Sequence, residues 1–397
     1  MSAAVRALEK AGAGFGDVRT EDRTAFVVRV SNEQIQSVNE VHRRGWGIRA
    51  FVDGAWGYAS GTSGRSADTV QAARKAVAIA RRSSAAGVPT SKLRKMPSTA
   101  ITLEPKVRIE PRDVAGEGDR RESAFDFRDG TAGWELVKAL DLAAFGRGLA
   151  QEAVEMLRAA KPPAGLMPVV TDPGVSGLLA HEVMGHASEG DEIVKKRSFL
   201  TDQVGKKVGS ALVSMYDDGT YPGAHGSIPF DAEGTPAHKT TVIDRGIYRG
   251  FLHSLETSGV LKARPTGNGR AQDFGRRVWV RMTNTYFGGG RDKKDEIVEE
   301  TKSGVLTRKW ISGMEDPVGG SFQAVTQSGF RIHKGEVGER VRGMTLTGDA
   351  LSILKSVDRV SKEIALDGGT CGKGEEDYVP VAAGGPYMRC KIVVGGG

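Results

Sequence analysis

Glycine constrains this chain more than any other residue type: 54 of its 397 residues are glycine, scattered without a period. A strict period of three would mean a triple helix. Scattered glycine instead means many turns between short elements. The strand pattern agrees. Residues 46–52 and 55–60 read as two strands joined at Asp53-Gly54, a dipeptide suited to the left-handed backbone of a tight hairpin. Asp217-Asp218-Gly219, Asp244-Arg245-Gly246 and His333-Lys334-Gly335 carry similar turn chemistry. Helical spacing appears at 3–11, from a capping Ser66 to about residue 80, from about 141 to 160 before Lys161-Pro162-Pro163, and near 350–353. The expected fold is α+β and strand-rich. It has an N-terminal α+β domain over 1–85 and a connecting segment over 86–130, interrupted by prolines and carrying one strand near 100–103. A larger β-rich domain over 131–397 ends on a strand at 390–394.

Charge narrows the function classes. Lys and Arg number 56 against 49 Asp and Glu, a net of +7, but acids interrupt the basic residues nearly everywhere. The short runs Arg81-Arg82, Lys195-Lys196-Arg197 and Lys293-Lys294 read as solvated surface, and no groove-entering motif accompanies them, so a nucleic-acid partner is not expected. Two cysteines, Cys371 and Cys390, cannot form a disulfide framework. The N-terminus lacks the apolar run of a signal peptide, and no stretch reaches membrane-span length. The expectation is a soluble cytoplasmic protein with reduced thiols.

The chemistry concentrates at His181-Glu182-Val183-Met184-Gly185-His186. Residues 168–170 read as a strand. Asp172 can cap the helix that follows, and Pro173 suits its first position. Val175, Leu178, Leu179 and Val183 fall on one stripe of that helix and should face the core. Two histidines four residues apart would share a helix face and bind one zinc ion. Here they are five apart, which on a straight helix turns them about 140° from each other. A π-bulge absorbs one residue and brings them back together. Gly185 weakens the helix near Met184–His186, where that distortion is expected. Zinc would need a third ligand, and Cys371, His225, His238, His253 and His333 are the distant candidates. Cys371 sits in the glycine-rich 368–374, and a thiolate suits zinc beside imidazoles. Glu189 and Asp191 could orient the histidines or serve as surface acids.

These residues belong to a longer pattern. GWGIRAFVDGAWGYAS (45–60), LLAHEVMGHASEGD (178–191), DDGTYPGAHGS (217–227), DAEGTPA (231–237), TGNGRA (266–271), RMTNTYF (281–287), GGTCGKG (368–374) and GGPYMRCKIVVGGG (384–397) together make the chain resemble the TldD/PmbA metallopeptidases over nearly its whole length. The resemblance implies that His181, His186 and Cys371 bind the metal and that Glu182 is the catalytic base. It also implies an active, TldD-like chain, because the PmbA-like (TldE) partners lack the motif. Two departures stand out. The chain is shorter than a typical bacterial TldD, with 86–130 the expected place of trimming. Glu375-Glu376-Asp377 follow the CGK sequence where a glutamine usually comes soon after.

The expected activity is zinc-dependent hydrolysis of unfolded or flexible peptides by a metal-activated water, with Glu182 as general base. A strand-rich body could receive an extended peptide as an added strand. The resemblance implies a dimer, either with itself or with a PmbA/TldE-like chain. The competing classes are a gyrase- or nucleic-acid-associated modulator and an amide hydrolase of natural-product maturation. A closed pocket would favour the last of these, and an open groove would favour peptides.

Overall fold

Asp53 and Gly54 take the left-handed backbone that the sequence demands of them, with φ of 49° and 84°. They join Gln34–Val52 to Ala55–Gly61 in antiparallel register. The structure, a computed structural model, describes residues 2–31, 34–86, 93, 108–117, 120–132, 136 and 138–396. The strand expected near 100–103 lies outside these residues. The architecture is mixed and strand-rich, as the sequence implies.

An N-terminal five-stranded sheet runs in the order Ala55–Gly61, Gln34–Val52, Phe15–Ser31, Arg108–Glu117, Arg120–Phe125. Its last two strands come from the stretch read as a connector. The helices Ser2–Lys10 and Ser66–Ala85 cover one face. Leu8, Ile48, Ala73, Ala76 and Val77 form the core between them. Burying a side chain such as Ile48 contributes about 1.5–3 kcal/mol. Small residues let the layers meet closely: a Cβ on Gly57 would lie 1.9 Å from the Ala76 carbonyl oxygen. Ser66 proves to be the first helical residue and not the cap; Arg65 occupies the cap position without a capping side-chain bond. At the next long helix, Leu142–Arg158, Asp141 does cap, accepting the Ala144 N–H.

The C-terminal region holds two larger sheets. One runs Ser303–Glu315, Gly165–Thr171, Met388–Gly396, Met344–Asp349, Ser321–His333, Glu336–Arg342. Ser303–Glu315 also pairs with Ser321–His333, so the first five of these strands close into a ring. The other runs Ala365–Lys373, Glu376–Gly385, Asn284–Phe287, Met215–Asp218, Lys239–Asp244, Ile247–Tyr248, which leaves Ala365–Lys373 on its edge. The motif helix is wedged between the sheets. It packs on Ser303–Glu315 from one side and on Glu376–Gly385 from the other. Its stripe of Val175, Leu178, Leu179 and Val183 is buried in the largest core cluster. No described helix is long and apolar enough to cross a membrane.

Candidate metal centre

The five-residue spacing is resolved as the sequence requires. Pro173–Leu178 is α-helical, Leu179–Gly185 is a π-helix, and His186–Ser188 is a 3-10 turn. The wider turn therefore begins earlier than 184–186 and takes in His181 itself. It brings the two imidazoles together, with ring centroids 5.0 Å apart and planes at 84°. Gly185 has a packing role as well: a Cβ there would lie 2.0 Å from the Met282 sulfur. Pro173 occupies the first helical turn as expected. Asp172 stands at the cap position but does not cap the helix. Its carboxylate accepts the Thr307 hydroxyl at 2.7 Å and the Lys309 N–H at 3.0 Å, because the neighbouring strand brings both donors to it.

The hairpin between Ala365–Lys373 and Glu376–Gly385 brings Cys371 to the same point. One donor atom from each of His181, His186 and Cys371 lies within 4.8 Å of the other two. Cys371 Sγ stands 3.4 Å from His186 Nε2. Burial pushes the Cys371 thiol up, but His186 and His181 outweigh it and hold the thiol well below its ordinary value. Burial likewise pushes His186 down, whereas Cys371 and Glu189 carry it well above the usual imidazole range. One ring nitrogen of His181, Nδ1, is buried with no hydrogen-bond partner among the described residues. Two imidazoles, a thiol that favours its anion and an unpaired buried nitrogen form a donor set that fits a borderline-soft divalent metal.

The other candidate histidines are not brought to this point. His238 and His333 are exposed, while His225 and His253 are buried elsewhere. Burial holds His253 at about 4. Cys390 is buried in the core of the ring.

Around the three donors lies a layer of charge that is only partly visible in the sequence. Glu189 orients His186, with Oε2 3.2 Å from Nδ1. Burial raises the Glu189 carboxyl, but Lys373 and His186 overcome that and hold it at about 2. Asp191 does not touch a histidine. It accepts Lys373 Nζ at 2.7 Å, and Lys373 also donates to Glu189 at 2.9 Å. The lysine of the CGK sequence thus ties the Cys371 hairpin to the acids that follow the helix.

Sequence reading missed three further residues. Arg281 is wholly buried, donates to the Cys371 carbonyl, and pairs with the equally buried Glu376 at 3.2 Å. Glu376 therefore belongs to the interior and does not face a substrate. Glu315, at the end of Ser303–Glu315, stands with Glu182 and His186, all three within 4.8 Å. Burial and Glu182 push Glu315 up to about 8. Glu182 and His186 keep 17% and 12% of their side-chain surface exposed, so the centre is reachable from solvent on that side. A sequence signal existed for Glu376, which lies a few residues after Cys371. Arg281 and Glu315 look like ordinary strand-end charges.

Comparison with known proteins places the chain in a family. The family model described as the PmbA/TldA metallopeptidase C-terminal domain matches residues 164–396, and the one described as PmbA/TldA metallopeptidase domain 1 matches 16–82. A metalloprotease of Methanothermobacter thermautotrophicus is 37% identical over 284 residues, 72% of this chain and 62% of that protein. A zinc metalloprotease TldD homolog of Saccharolobus solfataricus is 30% identical over 285 residues, 72% of this chain and 63% of that one. The chain thus matches less than two thirds of the length of these relatives. Among solved structures, a Thermotoga maritima protein described as a modulator of a DNA gyrase superimposes with a TM-score of 0.76 at 16% identity, covering 99% of this chain and 98% of that one. TldE from Thermococcus kodakarensis does so with a TM-score of 0.73 at 18% identity, covering 100% and 99%. These two likenesses show the fold. Together with the family models and relatives, they lead to one conclusion: the chain belongs to the TldD/PmbA family of metallopeptidases.

Proposed function

We propose that the protein is a zinc-dependent peptidase acting on unfolded or flexible peptides, with His181, His186 and Cys371 as metal ligands and Glu182 as general base. The observation that carries this reading is the convergence of those three donors, from positions 181 to 371 of the chain, beside a partly exposed carboxylate. The zinc metalloprotease name of the Saccharolobus relative supports the choice of metal. These three residues would hold the zinc, which would supply Lewis acidity and make an attacking water more acidic.

The chain's own groups then have distinct tasks. Glu182 accepts the proton of the attacking water and returns it to the leaving amine, so that one water is consumed for each amide cleaved. Glu189 fixes the ring of His186 through Nδ1 and leaves Nε2 toward Cys371. Lys373 neutralises Glu189 and Asp191, so the acids behind the centre do not add their full negative charge to it.

Ala365–Lys373, the strand that carries Cys371, is a sheet edge. An extended peptide can pair with such an edge through backbone alone, which favours unfolded chains over particular side chains. The family resemblance implies a dimer, of this chain with itself or with a TldE-like chain.

The test measures bound metal and digestion of an unfolded peptide library by wild type, Glu182→Ala and Cys371→Ala. Glu182→Ala should keep the metal and lose cleavage, and Cys371→Ala should lose the metal. Unchanged cleavage in both variants would remove the reading.

A further inference from the structure

Cys371 sits near the end of an edge strand, where a sheet gives least support. Ala365–Lys373 has Glu376–Gly385 as its neighbour in the sheet. Toward the start of the strand, Asp129 accepts the Gly368 N–H at 2.9 Å and steadies it there. Beyond Cys371 the chain turns back within a few residues, and there the ladder is irregular.

The register shows how. Cys371 lies opposite Val379, and Lys373 lies opposite Glu376. Gly372 alone therefore faces two residues, Asp377 and Tyr378. This is a β-bulge, which bends its strand and re-aims the side chains around it. Side chains alternate across a strand, so a slip of this hairpin by one residue would turn Cys371 away from His186.

Gln272 pins the bulge. Its side-chain Oε1 accepts the Asp377 N–H at 2.9 Å and the Tyr378 N–H at 3.0 Å. Only the oxygen of the amide can accept, so two donors also fix the amide's orientation. The pin is itself held. The Gln272 N–H donates to Glu376 Oε1 at 3.0 Å. Two residues earlier, buried Arg270 donates to the Met282 carbonyl and, at 2.7 Å, to the Pro380 carbonyl. Gly269–Arg270 also pairs with Trp279–Val280. The segment thus meets the returning strand at Glu376, at the bulge and at Pro380. Arg281 completes the clamp from the other side, since it pairs with Glu376 and donates to the Cys371 carbonyl.

We infer that Gln272 is a positioning residue for Cys371: by pinning Asp377 and Tyr378 opposite Gly372, it keeps the thiol aimed at His181 and His186. This rests on the assignment of Cys371 as a metal ligand under the peptidase reading above. It adds a residue that touches neither metal nor substrate and acts through the hairpin.

The test uses the full chain with three measurements. The thiolate-to-metal charge-transfer band of the cobalt(II)-loaded protein reports the sulfur–metal bond. Competition with a chelator gives zinc affinity, and urea unfolding gives the stability of the metal-free form. Gln272→Met keeps the length of the side chain and removes the acceptor. It should weaken zinc binding about tenfold and diminish the thiolate band. Its metal-free urea midpoint should match the wild type, because Asp377 and Tyr378 are exposed and water can satisfy their N–H groups without fixing their geometry. Gln272→Glu keeps an accepting oxygen and should restore both band and affinity. Wild-type zinc affinity in Gln272→Met would overturn the inference and leave Cys371 as a ligand. So would a lowered metal-free midpoint with an unchanged thiolate band, the mark of a purely structural role. Absence of the thiolate band from the wild type would instead remove Cys371 from the ligand set, and the inference would fall with that assignment.

Discussion

Two arginines, Arg49 and Arg281, are almost wholly buried, with 1% and 0% of their surface exposed. Each faces carboxylates, yet they do different work. Arg281 pairs with Glu376 and donates to the carbonyl of Cys371, so it holds the backbone of a proposed ligand. Arg49 donates to Asp17 in its own sheet at 2.7 Å and to Glu233 of the C-terminal region at 3.1 Å. Glu233 in turn accepts the Leu255 N–H. The first pair is built into the candidate metal centre, and the second is a clasp between two separately cored regions. Burial of an ion pair therefore does not by itself mark a catalytic site; what the pair holds in place does.

The comparison can be broken by removing each arginine in turn. Arg281→Met strands Glu376 in the interior, at an expected cost of about 3–5 kcal/mol. It should also lower metal occupancy, because the Cys371 carbonyl loses its buried donor. Urea unfolding and metal analysis check both, and full occupancy at wild-type stability would place Arg281 outside the centre. Arg49→Met should cost about 3 kcal/mol through Glu233, somewhat less because Asp17 is partly exposed and can rehydrate. It should leave metal content unchanged while limited proteolysis of the N-terminal sheet accelerates. Loss of metal in this variant would erase the distinction between the two arginines.

Smaller changes sharpen the clasp. Gly47 lies so close to the 270s loop that a Cβ would stand 1.9 Å from the Phe274 carbonyl oxygen. Gly47→Ala should therefore cost about 1–3 kcal/mol and again spare the metal. A wild-type midpoint in thermal unfolding would contradict the contact.

The clasp also predicts a pH dependence. Burial and neighbouring Glu233 push Asp231 up to about 7. Burial also raises Glu233, against the pull of Arg49. Between pH about 4 and 7 the folded chain holds a proton on Asp231 that the unfolded chain has released. Stability should therefore fall as pH rises through that window. Asp231→Asn should flatten the slope in urea midpoints taken at pH 5 and 7. An unaltered slope would show that other groups carry it.

Local chemistry made much of this molecule readable in advance. The Asp53-Gly54 turn, the Asp141 cap, the buried stripe of the motif helix and the need for a wider helical turn at His181–His186 all depend on neighbours within a few residues. Cys371 was one candidate among several until the family resemblance singled it out, because nothing within its own loop points to residue 186. The supporting charges were hidden for the same reason. Arg281 and Glu376 are 95 residues apart, and Asp129 and Gly368 are 239 apart. Each has the sequence surroundings of a surface or turn residue, and only long-range strand pairing buries or joins them. The clasp glycines Gly45 and Gly47 were legible as part of a motif, but the Phe274 contact that requires them was not.

On the proposed reading, residues 181, 186 and 371 hold one metal together. X-ray absorption at the zinc edge of the metal-loaded protein tests it most directly. The spectrum should show one sulfur at about 2.3 Å together with two nitrogen ligands at about 2.0–2.1 Å, and the sulfur shell should be lost in Cys371→Ser. A spectrum with no sulfur in the wild type, or one unchanged by Cys371→Ser, would contradict it.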